Sequence, residues 1–94
     1  MDNADEIFNV FFREKPVLML VKLLNSKKDE KVEMYASSLA KQIDCTYSHA
    51  VKILQQMAKH DLVNFEKQGR LKLLTLTKKG EQVADHMDKI KVLL

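Results

Sequence analysis

A single cysteine, Cys45, is too few for a disulfide framework or a cysteine-rich zinc site. With only Gly69 and Gly80, the chain has no glycine-rich loop to cradle a phosphate. His49, His60 and His86 lack the spacing of metal ligands, and no serine, histidine and acid grouping pairs a nucleophile with its base. These shortages argue against an enzyme, a metal site and a cofactor. Long apolar runs are missing as well. The longest, Val17 to Val21, falls far below the roughly 20 residues that span a bilayer, and the acidic opening Met1 to Glu6 does not lead into a cleavable signal. The expectation is a soluble cytoplasmic protein without membrane contact. At 94 residues, 46% of them hydrophobic, the chain suffices for one domain with a modest core.

What is present is organised around Ser37 to Val63. Leu39, Ala40 and Ile43 fall at helical spacing, Asp44 to Tyr47 interrupt the period, and Ala50, Ile53, Leu54 and Met57 resume it. Two short helices around a tight turn follow. Ala40 is small enough for a close crossing, Asp44 tolerates a left-handed backbone, and Thr46 can cap the second helix. With the apolar face buried, Tyr47, Ser48, His49, Lys52, Gln55 and Gln56 are left pointing outward. No acid lies between Cys45 and His60. Such a face suits the base edges and phosphates of a DNA groove, although a polar face on an amphipathic helix is equally what plain solvation produces.

Net charge is only +3, yet it is unevenly spread. From Cys45 to Gly80, seven bases (Lys52, Lys59, Lys67, Arg70, Lys72, Lys78, Lys79) stand against two acids (Asp61, Glu66), a local +5 that leaves −2 for the remainder. Positive charge thus gathers on the segment already suspected of meeting a polyanion.

Before that segment, Asp2 or Asn3 can cap a first helix in residues 1–14, where Ile7, Phe8, Phe11 and Phe12 make an apolar stripe for the chain's own core or for a second copy. Pro16 fits the start of a second helix, Lys15 to Leu24, which Val17, Leu18, Leu20, Val21 and Leu24 make heavily apolar. The charged stretch Asn25 to Lys31 reads as an exposed loop, and Val32 to Tyr35 as a short strand. After Asp61 the period changes. Leu62 to Glu66 and Leu71 to Leu76 flank Lys67-Gln68-Gly69-Arg70, a β-hairpin with a basic tip. Thr77 then caps a last helix, residues 77–94, with Gly80 in its first turn, which implies a close packing contact. Val83, Met87, Ile90 and Leu94 form a heptad-like seam, widened by Val92 and Leu93, that favours pairing with a second subunit over packing within the chain.

The order helix, helix, helix-turn-helix, hairpin, helix makes one mainly α winged-helix domain over 1–94, with its core at 15–76. It resembles the small archaeal and bacterial regulators of the MarR type. The resemblance runs from about Val17 to Ala84. It rests on Ser37-x-Leu39-Ala40, on Asp61-Leu62-Val63 where the family often has Gly-Leu-Val, on Gly69-Arg70, and on Leu76-Thr77-x-x-Gly80. It implies that Thr46, Tyr47, Ser48, His49 and Lys52 enter the major groove, with Gln55 and Gln56 beside them. It further implies that the wing residues Lys67, Gln68 and Arg70 meet the flanking backbone or minor groove. One helix rather than two after the wing points to a compact dimer built from the first and last helices, through Ile7, Phe8, Phe11, Val83, Met87, Ile90 and Leu94. Cys45 stands where the family is usually apolar and reads as a small core-filling side chain, with a redox switch as the alternative.

The expected function is sequence-specific binding of double-stranded DNA by a homodimeric transcriptional regulator, acting as a repressor by occlusion. Two other readings remain at this point: a protein-interaction module inside a multisubunit transcription assembly, and a sequence-independent chromatin-type binder. The sequence names no small-molecule effector.

Overall fold

In the computed structural model, residues 8, 12–28 and 33–94 are described. Helix α1, Glu14–Lys28, forms where Glu14 opens the first turn, Pro16 occupies a position that needs no donor, and Lys27 and Lys28 meet the negative end of the helix dipole. It buries Met19 and Leu20 completely, along with Val21, Leu23 and Leu24. Burying each leucine fully contributes about 1.5–3 kcal/mol, so this helix is the floor of the core. The expected end at Leu24 and the loop from Asn25 are corrected by the structure: residues 25–28 continue the helix. Lys27 Nζ lies 2.9 Å from Glu81 Oε1 on the last helix, a partly exposed pair that adds at most about 1 kcal/mol to this turn. Ser26 Oγ also donates to the Leu23 carbonyl at 3.0 Å.

Strand β1, Met34–Tyr35, is followed by α2, Ala36–Gln42, and α3, Tyr47–Lys59, then by β2, Val63–Gln68, β3, Leu71–Leu76, and α4, Lys78–Leu93. The three strands form one antiparallel sheet in the order β1-β3-β2. Met34 pairs with Leu74 and Tyr35 with Leu73, so the short strand expected before the helix-turn-helix is there, while Val32 lies outside the described residues. The hairpin register runs from Val63 opposite Leu76 to Gln68 opposite Leu71. That leaves a two-residue turn, Gly69-Arg70, with φ +61° at the glycine. A positive φ at the first turn position alone is the pattern of a type II′ hairpin.

The core gathers α1, α2, α3, the inner face of the hairpin and one side of α4. Leu39, Ala50, Leu54, Met57 and Ala84 are wholly inaccessible. Helix α4 lies along α1, and Gly80, Ala84 and Met87 face inward. Met87 therefore belongs to the chain's own core, which corrects its place in an intersubunit seam, and Val83 packs half-buried against the same core. A heptad repeat records that a face is apolar without recording which partner covers it. Beyond Met87 the covering stops: Ile90 is 44% exposed and Leu94 fully so, with Val92 and Leu93 exposed between them. Of the expected first helix, Ile7 and Phe11 lie outside the described residues, as do Asp2 and Asn3. Phe8 and Phe12 are exposed and stack on each other, ring centroids 4.7 Å apart.

Candidate nucleic-acid interface

The site begins at the bend between α2 and α3. Helix α2 opens on Tyr35, whose amide donates to Ser38 Oγ at 3.1 Å. Its phenol donates to Glu33 Oε2 at 2.7 Å, and that bond to a carboxylate pushes the hydroxyl above the usual tyrosine value of 10.0. At the other end the Ile43 amide donates to Leu39, the Asp44 amide to Lys41, and the Cys45 amide to the Ala40 carbonyl at 2.9 Å. Asp44 takes φ +54°, the left-handed conformation expected of it, and the chain reverses. Cys45 is half-buried and packs against the core.

Thr46 Oγ1 then accepts from the His49 amide at 3.2 Å and starts α3 as its N-cap. Ala50, Ile53, Leu54 and Met57 are buried, while Thr46, Tyr47, Ser48, His49, Lys52, Gln55 and Gln56 are exposed, so the inward and outward sets divide as the periodicity predicts. Tyr47, a large aromatic, is 52% exposed at the leading end of the helix. Among the described residues the side chains of Tyr47, Ser48, His49, Lys52, Gln55 and Gln56 form no hydrogen bond or ion pair. They are uncommitted donors, acceptors and charge on one face.

The far end of α3 is held by α4. Asp61 takes φ +62°, which explains why glycine is suited to this place. Thr77 Oγ1 donates to the Asp61 carbonyl at 2.6 Å, the Thr77 amide donates to Leu62 at 3.1 Å, and Lys79 Nζ reaches the His60 carbonyl at 3.2 Å. Thr77 Oγ1 also accepts from the Gly80 amide at 2.9 Å, so one residue caps α4 and fastens the exit of α3.

From there the chain passes directly into the wing, and α3 packs against β2. Alternation along the strands puts Val63, Phe65 and Lys67 on the same face as Leu76, Leu74 and Lys72. This face is core at its base and basic at its outer end. Lys67 and Lys72 stand directly opposite each other, and the Lys72 ammonium lies 5.6 Å from the Phe65 ring centroid. Glu66 points to the other face, and no acid pairs with either lysine among the described residues. Like charges directly opposed on a hairpin destabilise it unless an anion joins them. Sequence reasoning counted Lys72 in the basic segment without assigning it to the site. A two-residue turn would have revealed it, because closing on Gly69-Arg70 forces residue 72 opposite 67. Gln68 is the last paired residue before the turn, and Gly69 and Arg70 are exposed at the tip.

Among the described residues no His, Cys, Asp and Glu cluster has the arrangement of a metal site, and no helix is long and apolar enough to cross a membrane.

No protein-family model and no curated protein matches the chain. Solved structures do. AF1382 from Archaeoglobus fulgidus superposes with a TM-score of 0.82 at 22% identity, over 93% of this chain and 94% of that one. MepR, a transcription regulator of the Staphylococcus aureus multidrug efflux pump MepA, gives 0.75 at 16% identity, over 92% of this chain and 62% of its own. A MarR family transcriptional regulator from Silicibacter pomeroyi gives 0.73 at 19% identity, over 96% of this chain and 65% of its own. The chain thus spans slightly less than two thirds of these last two. Its fold is the winged helix-turn-helix of MarR-type regulators.

Proposed function

We propose that the protein is a homodimeric transcriptional regulator that binds double-stranded DNA sequence-specifically and represses by occlusion. Helix α3 enters the major groove, where Tyr47, Ser48, His49 and Lys52 meet base edges and phosphates, with Gln55 and Gln56 along the same face. Lys67, Lys72 and Arg70 bind the backbone strand that runs between helix and wing. The observation that carries this reading is the outward face of α3, free of acids and uncommitted among the described residues, adjoining a hairpin whose two opposed lysines meet no acid among those residues. The likeness to transcription regulators supports it. A twofold pair of such helices reads an inverted repeat with half-sites about 34 Å apart.

Titration of a genomic fragment pool against random duplex, at low and moderate salt, tests the reading. A preferred fragment carrying an inverted repeat is expected. Equal affinity for both pools at every salt concentration would leave a sequence-independent binder instead.

The exposed apolar end of α4, from Ile90 to Leu94, favours a second reading, a module that docks on a different protein. Sedimentation of the pure chain separates the two: a discrete symmetric dimer belongs to the regulator, and a monomer that self-associates indefinitely belongs to the module.

A further inference from the structure

The carbonyls at the C-terminal end of any helix lack partners within it, and in a helix-turn-helix those of the first helix lie at the bend that aims the second. Here they are met by a residue from far back in the chain. Lys15 Nζ donates to the Ile43 carbonyl at 2.7 Å and to the Asp44 carbonyl at 3.1 Å. Lys15 is followed by Pro16, which is buried and fixes the backbone in the first turn of α1. A cation is also the favoured group at the negative end of a helix dipole. Asp44, one of the two residues it grips, is the one in left-handed backbone, at φ +54°, a conformation that needs outside support when the residue is not glycine. One residue further on lies the half-buried Cys45, and then the Thr46 cap from which α3 starts.

We propose that Lys15 is a positioning residue for DNA recognition: by seating its ammonium on the Ile43 and Asp44 carbonyls, it sets the direction in which α3 leaves the bend. This inference rests on the DNA-binding reading above. Lys15 acts through the turn and touches no phosphate. With Thr77 and Lys79 fastening the opposite end, the recognition helix is held at both ends by side chains from α1 and α4, the two long helices that pack on each other.

Lys15→Met in the full chain tests this, read against a selected high-affinity duplex and a scrambled one across a salt series. The preference for the selected duplex is expected to fall on the order of tenfold, as loss of charge-assisted hydrogen bonds implies. Affinity for the scrambled duplex, and the slope of its logarithm against log salt, stay as in the wild type. Amide hydrogen exchange from Cys45 to His49 in the free protein speeds up, while exchange in the hairpin is unchanged. If Lys15→Met instead weakens binding to both duplexes and takes about one unit off the slope, Lys15 is a phosphate contact and the inference is overturned. Unchanged preference, or unchanged exchange at the turn, overturns it too. Should Lys15→Met not fold, Lys15→Arg, which keeps the charge but shifts the donors, carries the same comparison. A wild type that prefers no sequence removes the DNA reading and this inference together, whereas failure of the inference alone leaves the wild type discriminating.

Discussion

Gly80, in the first turn of α4, lies against the backbone carbonyl of Leu62 so closely that a β-carbon there would overlap the oxygen. Replacing it by alanine sets two effects against each other. Alanine favours the helix by roughly 1 kcal/mol. The overlap is with backbone, which cannot swing aside, and overpacking of that kind costs typically about 1–3 kcal/mol or more. Strain wins, because Leu62 is itself fixed by hydrogen bonds to Thr77 and Met57. Gly80→Ala is expected to lower the thermal midpoint by about 5 °C or more, followed by circular dichroism. A rise in the midpoint would show that α4 does not approach the α3 exit in this way.

Neutralising the wing lysines should have opposite effects on folding and on binding. Lys67→Met and Lys72→Met each remove half of a repulsive pair, and methionine keeps an apolar side chain of similar length at each position, the change at Lys72 also removing the ammonium from beside the Phe65 ring. Thermal stability of the free protein is expected to hold or rise slightly. Affinity for every duplex should drop, and each variant should reduce the salt slope by about 1. A Lys72→Met protein with wild-type slope would remove Lys72 from the interface. Tyr47→Ala and Lys52→Ala, by contrast, should change which sequence is preferred.

These two cases mark what could be read from residues alone. Thr46 and Thr77 as caps, Asp44 as the left-handed residue and Gly80 as a contact glycine were legible because each requirement is local and few residue types meet it. The division of α3 into buried and exposed faces was legible from its period. What depends on pairing was not. In the last turn of α1, Lys27 reaches Glu81, a contact between residues far apart in sequence that the charged run Asn25 to Lys31 does not advertise. Met87 is buried in the chain's own core, and periodicity cannot name the covering surface. Lys15 looked like a helix start and nothing more, since the carbonyls it grips come from the bend.

The Asp85 carboxylate accepts from Lys89 Nζ at 2.9 Å, one helical turn later, and this bond pulls its pKa below the ordinary value of 3.8. The folded value is the depressed one. Its contribution to stability is therefore present above pH 3.8 and is lost as pH falls through the folded value. NMR titration is expected to find Asp85 below the ordinary aspartate value, and Lys89→Met to return it there. Titration at the same pH in both proteins would mean that the pair does not persist in solution. Because the pair is exposed, the effect on overall stability should be slight.

The proposed dimer makes a demand on the end of α4. Ile90 and Leu94 are exposed on a helix whose inner side is already occupied by Ala84 and Met87. Glutamate at both positions should leave folding intact while converting a dimer to a monomer in sedimentation equilibrium. Loss of the dimer should cost specific binding far more than random-duplex binding, because only the former needs two half-sites at once. A double variant that stays dimeric would send the search for the interface to Phe8 and Phe12.

The outward side chains of α3 hold up none of the scaffold: packing is left to Ala50, Ile53, Leu54 and Met57, and both ends of the helix are secured from other helices. In the function proposed for these side chains, target choice and folding rest on separate residues. Under the proposed function, exchanging Ser48 or Gln55 is expected to re-address the domain to a different stretch of genome without loosening its interior, so that new targets would come one exposed position at a time.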